Sequence, residues 1–596
     1  MGDAPDRIGD ARRALDAEVE ELAGVWTAGD PDDPALRGRC ARRLHGLRAR
    51  WREAPLLFGP ELVARLRELA EAIDRPPGPV AARRVLREVF GHPSFRPGQE
   101  EIVQAVLGGR DCIGVMPTGA GKSLTYQIPA RLMGSTTLVV SPLVALMKDQ
   151  VDAMSRVGLR AAFLNSTLSS EERRDRVRAL RAGELELLYA APEGLEASVG
   201  SALEGIGLAL IAVDEAHCIS HWGHDFRPAY RNLAGLRARF RAPVLALTAT
   251  ATREVTRDIA AQLGMADPLL VRGSFLRRNL RLHAVKKGEG LQTREALVRL
   301  VRARRGESGI VYALSRKSVE EIAEHLRDHG VRAEAYHAGL EPEVRARVQD
   351  AFRTGEIEVV AATVAFGMGI DKPNIRFVIH RDLPRSIEAY YQEIGRAGRD
   401  GNPSACVLFY SWADVMGWER LLDDGEPEVA EWQRQQVRAM YRMADADGCR
   451  HQRLVGHFGE RVAPCEDACD RCTGEDVLAA APRVAALRGG RRGGRERGRS
   501  RDRDPAGPGR ADALDASPLD GEGTELFDRL RAWRSGEART RGVPAYVVFP
   551  DATLREIAGS RPETEDALAA VKGVGPRKLE AFGEAVLAIV RGEEPG

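Results

Sequence analysis

Short runs that are apolar at nearly every position alternate in this chain with stretches of helical periodicity. Between about Val80 and Phe275 the runs are DCIGVMP, TTLVVSP, ELELLYAAPE, LALIAVDE and PVLALTAT. A strand buried on one face alternates apolar and polar residues, whereas continuous Val/Ile/Leu runs fit parallel strands covered on both faces. The same rhythm returns from Ser308 to Tyr410 in SGIVYALS, AEAYHAG, IEVVAATVAFG, IRFVIHRDLP and ACVLFY. The pattern predicts an α/β chain of two tandem parallel-sheet lobes with a cleft between them. Lobe 1 covers residues 81–275 and lobe 2 residues 276–412.

The flanks read as helical. Leu62, Val63, Leu66, Leu69, Ala70 and Ile73 recur at helix spacing behind Pro60. Leu36, Cys40, Leu44, Leu47 and Trp51 share another face, ringed by Arg37, Arg39, Arg42, Arg43, Arg48 and Arg50. This predicts a small bundle over residues 1–80, standing apart behind the linker RPPGP, with a solvated charged face rather than a DNA- or partner-binding one. A helical segment occupies 413–475. Residues 476–521 include RGGRRGGRERGRSRDRDPAGPGR, Gly/Arg-rich and without apolar periodicity, which predicts a disordered linker able to hold single strands electrostatically. Helical periodicity resumes over 522–596.

Composition narrows the partners. At 596 residues the chain is too long for one core, and 43% hydrophobic with 29% charged residues is a soluble globular balance. Lys+Arg 88 against Asp+Glu 87 gives a net charge of +1, so any nucleic-acid footprint must be local. The N-terminal MGDAPDRIGDARR has no apolar core of a signal peptide, and no apolar run approaches a membrane span. The expectation is a cytoplasmic protein, nucleoid-associated in a bacterium, with no membrane partner. Cys40, Cys112, Cys218 and Cys406 are scattered and read as small buried side chains.

The chemistry starts in VMPTGAGKSLTYQ, Val115 to Gln127, where a buried strand breaks into a glycine-rich turn and then a helix. Thr118, Gly119, Ala120 and Gly121 can turn their amides inward at a helix N-terminus that favours anions. Lys122 supplies a charge for β/γ-phosphates, and the Ser123 hydroxyl suits Mg²⁺. The usual first glycine is Met116 here. Asp214 and Glu215 end the strand LALIAVDE, a place for a Mg²⁺-holding Asp beside a carboxylate that orients water. His217 reads as a satisfied, hydrogen-bonded histidine. In YYQEIGRAGRD, Gln392, Arg396 and Arg399 fall at three- and four-residue spacings, which predicts one helix face aimed across the cleft at a γ-phosphate. Cys449, Cys465, Cys469 and Cys472 suit a tetrahedral structural Zn²⁺, with an iron–sulfur cluster as the alternative, since four cysteines alone do not choose the metal.

These motifs resemble the RecQ family of superfamily 2 DNA helicases, from about Leu86 to Cys472. The resemblance rests on FGHPSFRPGQ, MPTGAGKSLTYQIPA, SPLVALMKDQV, DEAHCISHWGHDFRP and LTATAT, then YALSRK, YHAGL, TVAFGMGIDKPNIRFVIH and YYQEIGRAGRDG. The family also carries Met where this chain has Met116. It implies two RecA-like lobes, ATP with Mg²⁺, 3′→5′ movement, DNA repair and recombination, and single-stranded, tailed or forked DNA as partner to a monomer. It places Arg96 and Gln99 at the adenine, Lys122 and Ser123 at phosphate and Mg²⁺, Asp214 at the metal and Glu215 at the water. Arg399, with Arg396 nearby, is the implied arginine finger. HWGHDFRP is the implied aromatic-rich loop, where Trp222 and Phe226 can stack on bases and Arg227 can hold backbone. His221 stands where Gln is usual, and the zinc platform begins CRH rather than CRR. The C-terminal unit resembles the HRDC domain, with Lys572, Arg577 and Lys578 around KGVGPRK able to meet a phosphate, or the turn serving packing alone.

Relatives usually carry a winged helix between zinc platform and HRDC; only the Gly/Arg-rich segment lies there. The reading is an ATP-dependent DNA helicase. The alternatives are a DNA-stimulated ATPase that remodels or anneals strands with weak unwinding, an RNA-directed DEAH protein, or an inactive nucleic-acid-binding scaffold.

Overall fold

The computed structural model describes residues 4–142, 144–165, 167–196, 198–220, 227–288, 292–366, 372–422, 427–479, 520–541 and 545–593. The Gly/Arg-rich segment and the loop bearing Trp222 and Phe226 lie outside the described residues. The chain falls into two compact units, Met1–Ala485 and Ala486–Gly596.

The first unit holds two wholly parallel sheets. In chain order the strands of the first are β1 (Cys112–Val115), β2 (Thr136–Val140), β3 (Ala161–Leu164), β4 (Leu187–Ala190), β5 (Leu208–Val213), β6 (Val244–Thr248) and β7 (Leu269–Arg272). Their spatial order is β3-β4-β2-β5-β6-β1-β7. The second sheet takes β8 (Leu280–Lys286), β9 (Ser308–Tyr312), β10 (Ala333–Tyr336), β11 (Val359–Ala362), β12 (Ile375–His380) and β13 (Ser404–Tyr410), in the order β10-β11-β9-β12-β13-β8. Helices cover both faces, so β1, β2, β4 and β13 are buried at every position, as continuous apolar runs require. Each sheet has its own core, one around Ile102, Met116, Tyr126 and Leu210, the other around Val311, Leu326, Phe377 and Phe409.

The N-terminal helices Ala4–Ala28, Pro34–Glu53 and Pro60–Asp74 share a core of Leu22, Leu44, Leu47 and Leu66. They do not stand apart. The Pro34–Glu53 helix packs on the lobe 1 helix Leu124–Met133, where Gly134 leaves no room for a side chain beside Ala41, and Gly38 lies against the Arg131 carbonyl. Periodicity marked the inner face of the bundle; the docking face is made of small residues that carry no hydrophobic signal. Part of the arginine ring is engaged within the bundle, while Arg39 and Arg50 remain exposed. Arg37 is buried and donates to the carbonyls of Pro31 (3.0 Å) and Ile73 (3.2 Å), Arg43 forks onto Glu21, and Arg50 meets Glu18 at 2.6 Å.

In the second unit, helices Gly521–Arg541, Asp551–Ser560 and Pro576–Arg591, with two shorter ones, enclose Leu530, Phe549, Leu554, Leu568 and Val586.

One glycine tests the packing of lobe 2. Gly309 is the second residue of the central strand β9, and a Cβ there would enter the ring of Phe377 on β12. Gly309→Ala is expected to destabilise the protein by about 1–3 kcal/mol through overpacking, read as a lower thermal midpoint.

Candidate active site

Parallel strands deliver their carboxyl ends to one edge, and three of the motifs leave the first sheet there. Val115 of β1 pairs with Thr248 of β6, and Met116 N donates to Thr248 O at 3.0 Å. On the other side of β6, Val213 of β5 pairs with Ala246. The phosphate-loop residues, Asp214–Glu215 and LTATAT therefore emerge side by side.

The loop turns through Gly119 (φ +82°) and Gly121 (φ +76°) into the helix Leu124–Met133. Its outward carbonyls are met by side chains. Lys122 Nζ donates to Met116 O at 3.2 Å, and Arg96 donates to Gly119 O. Gln99 Nε2 reaches Ala120 O at 2.9 Å and Gly121 O at 3.0 Å, while its Oε1 accepts from Arg96 N at 2.8 Å. Gln99 is buried and engaged at both ends of its amide. Here it braces the back of the loop, and an adenine contact requires these bonds to be exchanged.

Asp214 and Glu215 stand opposite the loop. Burial first, and the neighbouring Glu215 charge second, push the Asp214 carboxyl above the usual carboxylate range, against the pull of Lys122. A divalent cation would reverse that shift, so the acidic end of the strand fits Mg²⁺. Glu215 has φ +48°, uncommon for a side chain-bearing residue, and its Oε2 is buried without a hydrogen bond, 3.3 Å from His217 Nδ1. His217 is satisfied, its Nδ1 lying 2.9 Å from Thr248 Oγ1, which in turn donates to Thr250 O at 3.0 Å. From lobe 2, Gln392 Nε2 donates to Thr250 Oγ1 at 3.3 Å. The acidic strand end is thus linked to the second lobe through His217, Thr248, Thr250 and Gln392.

The expected helix face for Gln392, Arg396 and Arg399 is not what the fold builds. The helix Ile387–Ile394 ends at Gly395, and Gly398 (φ +57°) turns the chain, so both arginines sit on a glycine turn beyond the helix. A continuing helix could not hold that left-handed residue. The turn still faces lobe 1: the Arg399 Cγ lies 3.3 Å from where a Gly119 Cβ would stand, and Gly395 packs on Thr118. Arg396 is buried beside Tyr312, within its own lobe. Sequence reasoning passed over Arg277. It donates to Thr118 O (3.3 Å) on one lobe and to Ala397 O (3.0 Å) and Gly398 O (2.8 Å) on the other. Lying in LRRNLR among other arginines, it gives no signal in a single sequence.

Arg227 closes the loop that carries the aromatic residues. Its N–H donates to Cys218 O at 2.9 Å and its guanidinium to Pro142 O at 3.3 Å.

Cys449, Cys465, Cys469 and Cys472 bring four sulfurs within 4.8 Å of one another, a donor set of the size and softness that tetrahedral Zn²⁺ takes. Arg450 forks onto Asp470 at 2.5 and 3.0 Å beside them. His451, the departure in CRH, lies buried with Nε2 at 3.0 Å from Leu280 O and 3.2 Å from Ala468 O, tying the platform to β8. Downstream, Phe458 stacks on Phe275 between the lobes (4.3 Å, 6°), and Glu460 accepts from Ser274 Oγ (2.6 Å) and Phe275 N (2.7 Å). The platform rests on the interlobe connection.

In the C-terminal unit, Gly573 (φ +95°) admits Thr553, whose hydroxyl donates to Lys572 O at 3.1 Å. Lys578 lies over the Phe549 ring at 5.0 Å, its ammonium pKa lowered by burial. Lys572 is exposed, and Arg577 lies in the first turn of the last helix, Pro576–Arg591. The turn is first a packing device.

Four family profiles match in order: the DEAD/DEAH box helicase over residues 96–259, the helicase conserved C-terminal domain over 292–401, RecQ zinc-binding over 412–473 and the HRDC domain over 523–590. The chain is 39% identical over 609 residues to the ATP-dependent DNA helicase RecQ of Haemophilus influenzae, covering 88% of this chain and 97% of that one. To the ATP-dependent DNA helicase RecQ of Bacillus subtilis it is 38% identical over 584 residues, covering 85% and 98%. The Haemophilus alignment is longer than this whole chain of 596 residues, so that relative carries residues with no counterpart here. With phosphate loop, acidic strand end, arginine turn and four-cysteine platform in one order and relatives matched along nearly their whole length, the chain belongs to the RecQ family of ATP-dependent DNA helicases.

Proposed function

We propose that this chain couples MgATP hydrolysis in the interlobe cleft to 3′→5′ movement along single-stranded DNA, acting on tailed or forked duplex. The observation that carries it is the approach of the Arg399 turn to Gly119, with Asp214 and Glu215 at the neighbouring strand end. The loop amides would cradle the phosphates, Lys122 would exchange Met116 O for them, and Ser123 and Asp214 would hold Mg²⁺. When bound there, the cation would supply charge to offset that of the phosphates. Glu215, with one buried oxygen free of hydrogen bonds, orients the attacking water, and Arg399 meets the charge that develops on the γ-phosphate. Arg396, buried beside Tyr312, shapes the turn rather than touching nucleotide. Arg227 anchors the loop through which Trp222 and Phe226 meet unpaired bases. Arg96 and Gln99 brace the loop and reach the adenine only by exchanging their bonds to it. In the HRDC domain, Lys572 and Arg577 are the candidates for backbone phosphate; Lys578 is committed to Phe549.

A second reading concerns strand separation. Residues 474–522, between the zinc-binding and HRDC matches, are Gly/Arg-rich, and the Haemophilus relative has residues without counterpart in this chain. This favours a motor whose ATP turnover exceeds its unwinding of long duplex. Turnover and strand separation measured together on blunt and 3′-tailed DNA test it: efficient opening of blunt duplex rejects it.

Lys122→Ala and Glu215→Gln are expected to abolish turnover, with only Glu215→Gln keeping tight ATP binding. Arg399→Ala is expected to lower kcat by about 10³-fold or more with modest loss of binding, seen by nucleotide titration beside turnover assays. Purified protein is expected to carry zinc rather than iron by elemental analysis. Cys469→Ser should lose the metal and lower the thermal midpoint, because the platform folds around it.

A further inference from the structure

One carbonyl of the phosphate loop, that of Thr118, is answered from outside lobe 1. Arg277 lies on the connection between β7 and β8, and its planar guanidinium works in two directions. Toward lobe 1, Nη1 donates to Thr118 O at 3.3 Å; toward lobe 2, Nη2 donates to Ala397 O at 3.0 Å and Gly398 O at 2.8 Å. Its Nε donates to Asn279 Oδ1 at 3.2 Å. Asn279 Nδ2 then donates to Gly398 O at 2.8 Å and Asn402 O at 3.0 Å. Gly398 admits this pair, since a Cβ there would collide with the Asn279 amide. The carbonyls so gripped bracket Arg399, whose Cγ lies 3.3 Å from the place of a Gly119 Cβ.

We propose that Arg277, together with Asn279, is a positioning residue for ATP hydrolysis: it sets the distance and orientation of the Arg399 turn relative to the phosphate loop. The proposal rests on the reading of Arg399 as the finger. A fixed fork is what the job needs. A guanidinium presents several donors in one plane and can hold carbonyls on both lobes at once, whereas a lysine keeps the charge on a single flexible ammonium.

The test uses the full chain with Arg277→Ala, Arg277→Lys, Asn279→Ala, Arg399→Ala and the Arg277→Ala/Arg399→Ala double variant. Steady-state hydrolysis with saturating single-stranded DNA gives kcat and KM, and titration gives ADP affinity. Amide hydrogen exchange in nucleotide-free protein follows residues 116–123 and 395–402. A misplaced catalytic group costs about 10²-fold, so Arg277→Ala is expected to lower kcat by about that factor. KM and ADP affinity should stay within roughly threefold, because ground-state binding is not what is lost. Arg277→Lys should not rescue, Asn279→Ala should lower kcat less, and exchange should rise in both segments. The double variant should be no slower than Arg399→Ala, since one residue acts through the other. Wild-type kcat in Arg277→Ala, rescue by lysine, or a double loss equal to the product of the single losses would each overturn the proposal. If Arg399→Ala keeps wild-type kcat, the finger reading fails and takes this role with it; if only Arg399→Ala is impaired, the positioning role alone fails. Should Arg277→Ala not fold, wild-type kcat in Arg277→Lys or Asn279→Ala overturns the proposal equally.

Discussion

A backbone loop that turns its amides inward to receive phosphate must turn its carbonyls outward, and a buried carbonyl left without a donor is costly. Much of this protein can be read as the answer to that constraint. The donors come from the lysine of the loop itself, from Arg96 and Gln99 just ahead of lobe 1's first strand, and from Arg277 at the entry to lobe 2. Three parts of the chain remote in sequence are thereby fixed around one turn before any nucleotide arrives. The shape of the anion cradle is therefore a property of both lobes.

The zinc platform belongs to the same economy of contacts. Its four sulfurs gather one segment, and two residues between Cys449 and Cys465, Phe458 and Glu460, bear on Ser274 and Phe275 where the lobes join. Tyr391, one turn before the arginines, donates its hydroxyl to Phe275 O at 3.0 Å, and His457 meets Glu388 on the same helix. Cysteine platform, interlobe connection and arginine turn are thus linked by side-chain contacts, which explains why a cysteine cluster far from the phosphate loop in sequence is built into the motor.

Most of the two-lobe fold was legible because burial on both faces leaves an unmistakable apolar run. The strands that the runs did not announce are β3, β7 and β8, and all three lie at sheet edges. Edge strands keep one side open and mix polar residues in; β8 alternates buried and exposed positions at its start. The phosphate loop, the acidic strand end and the four cysteines were legible because their chemistry demands particular residues at close spacing. What was not legible depends on small residues or on distance. Gly38, Ala41 and Gly134 dock the N-terminal helices without any apolar mark, and Gly395 and Gly398 end a helix that spacing alone would extend. Arg277 looks like one more charge in a basic connection until the partners on both lobes are seen.

The strand order carries a consequence for how the protein is made. β1, which launches the phosphate loop, has as its neighbours β6 and β7, and each begins more than a hundred residues later. β8, likewise, pairs with β13 and bridges at Leu282 to Cys469. A ribosome therefore releases β1 early and its partners late, and the nascent chain must keep an apolar ribbon unpaired in the interval. Long-range parallel pairing of this kind is slow and exposes sticky edges during synthesis. The helix Gln99–Leu107, which precedes β1 in the chain and lays Ile102 and Val106 in the same core as Cys112, can cover part of that surface while the rest of the sheet is still being translated.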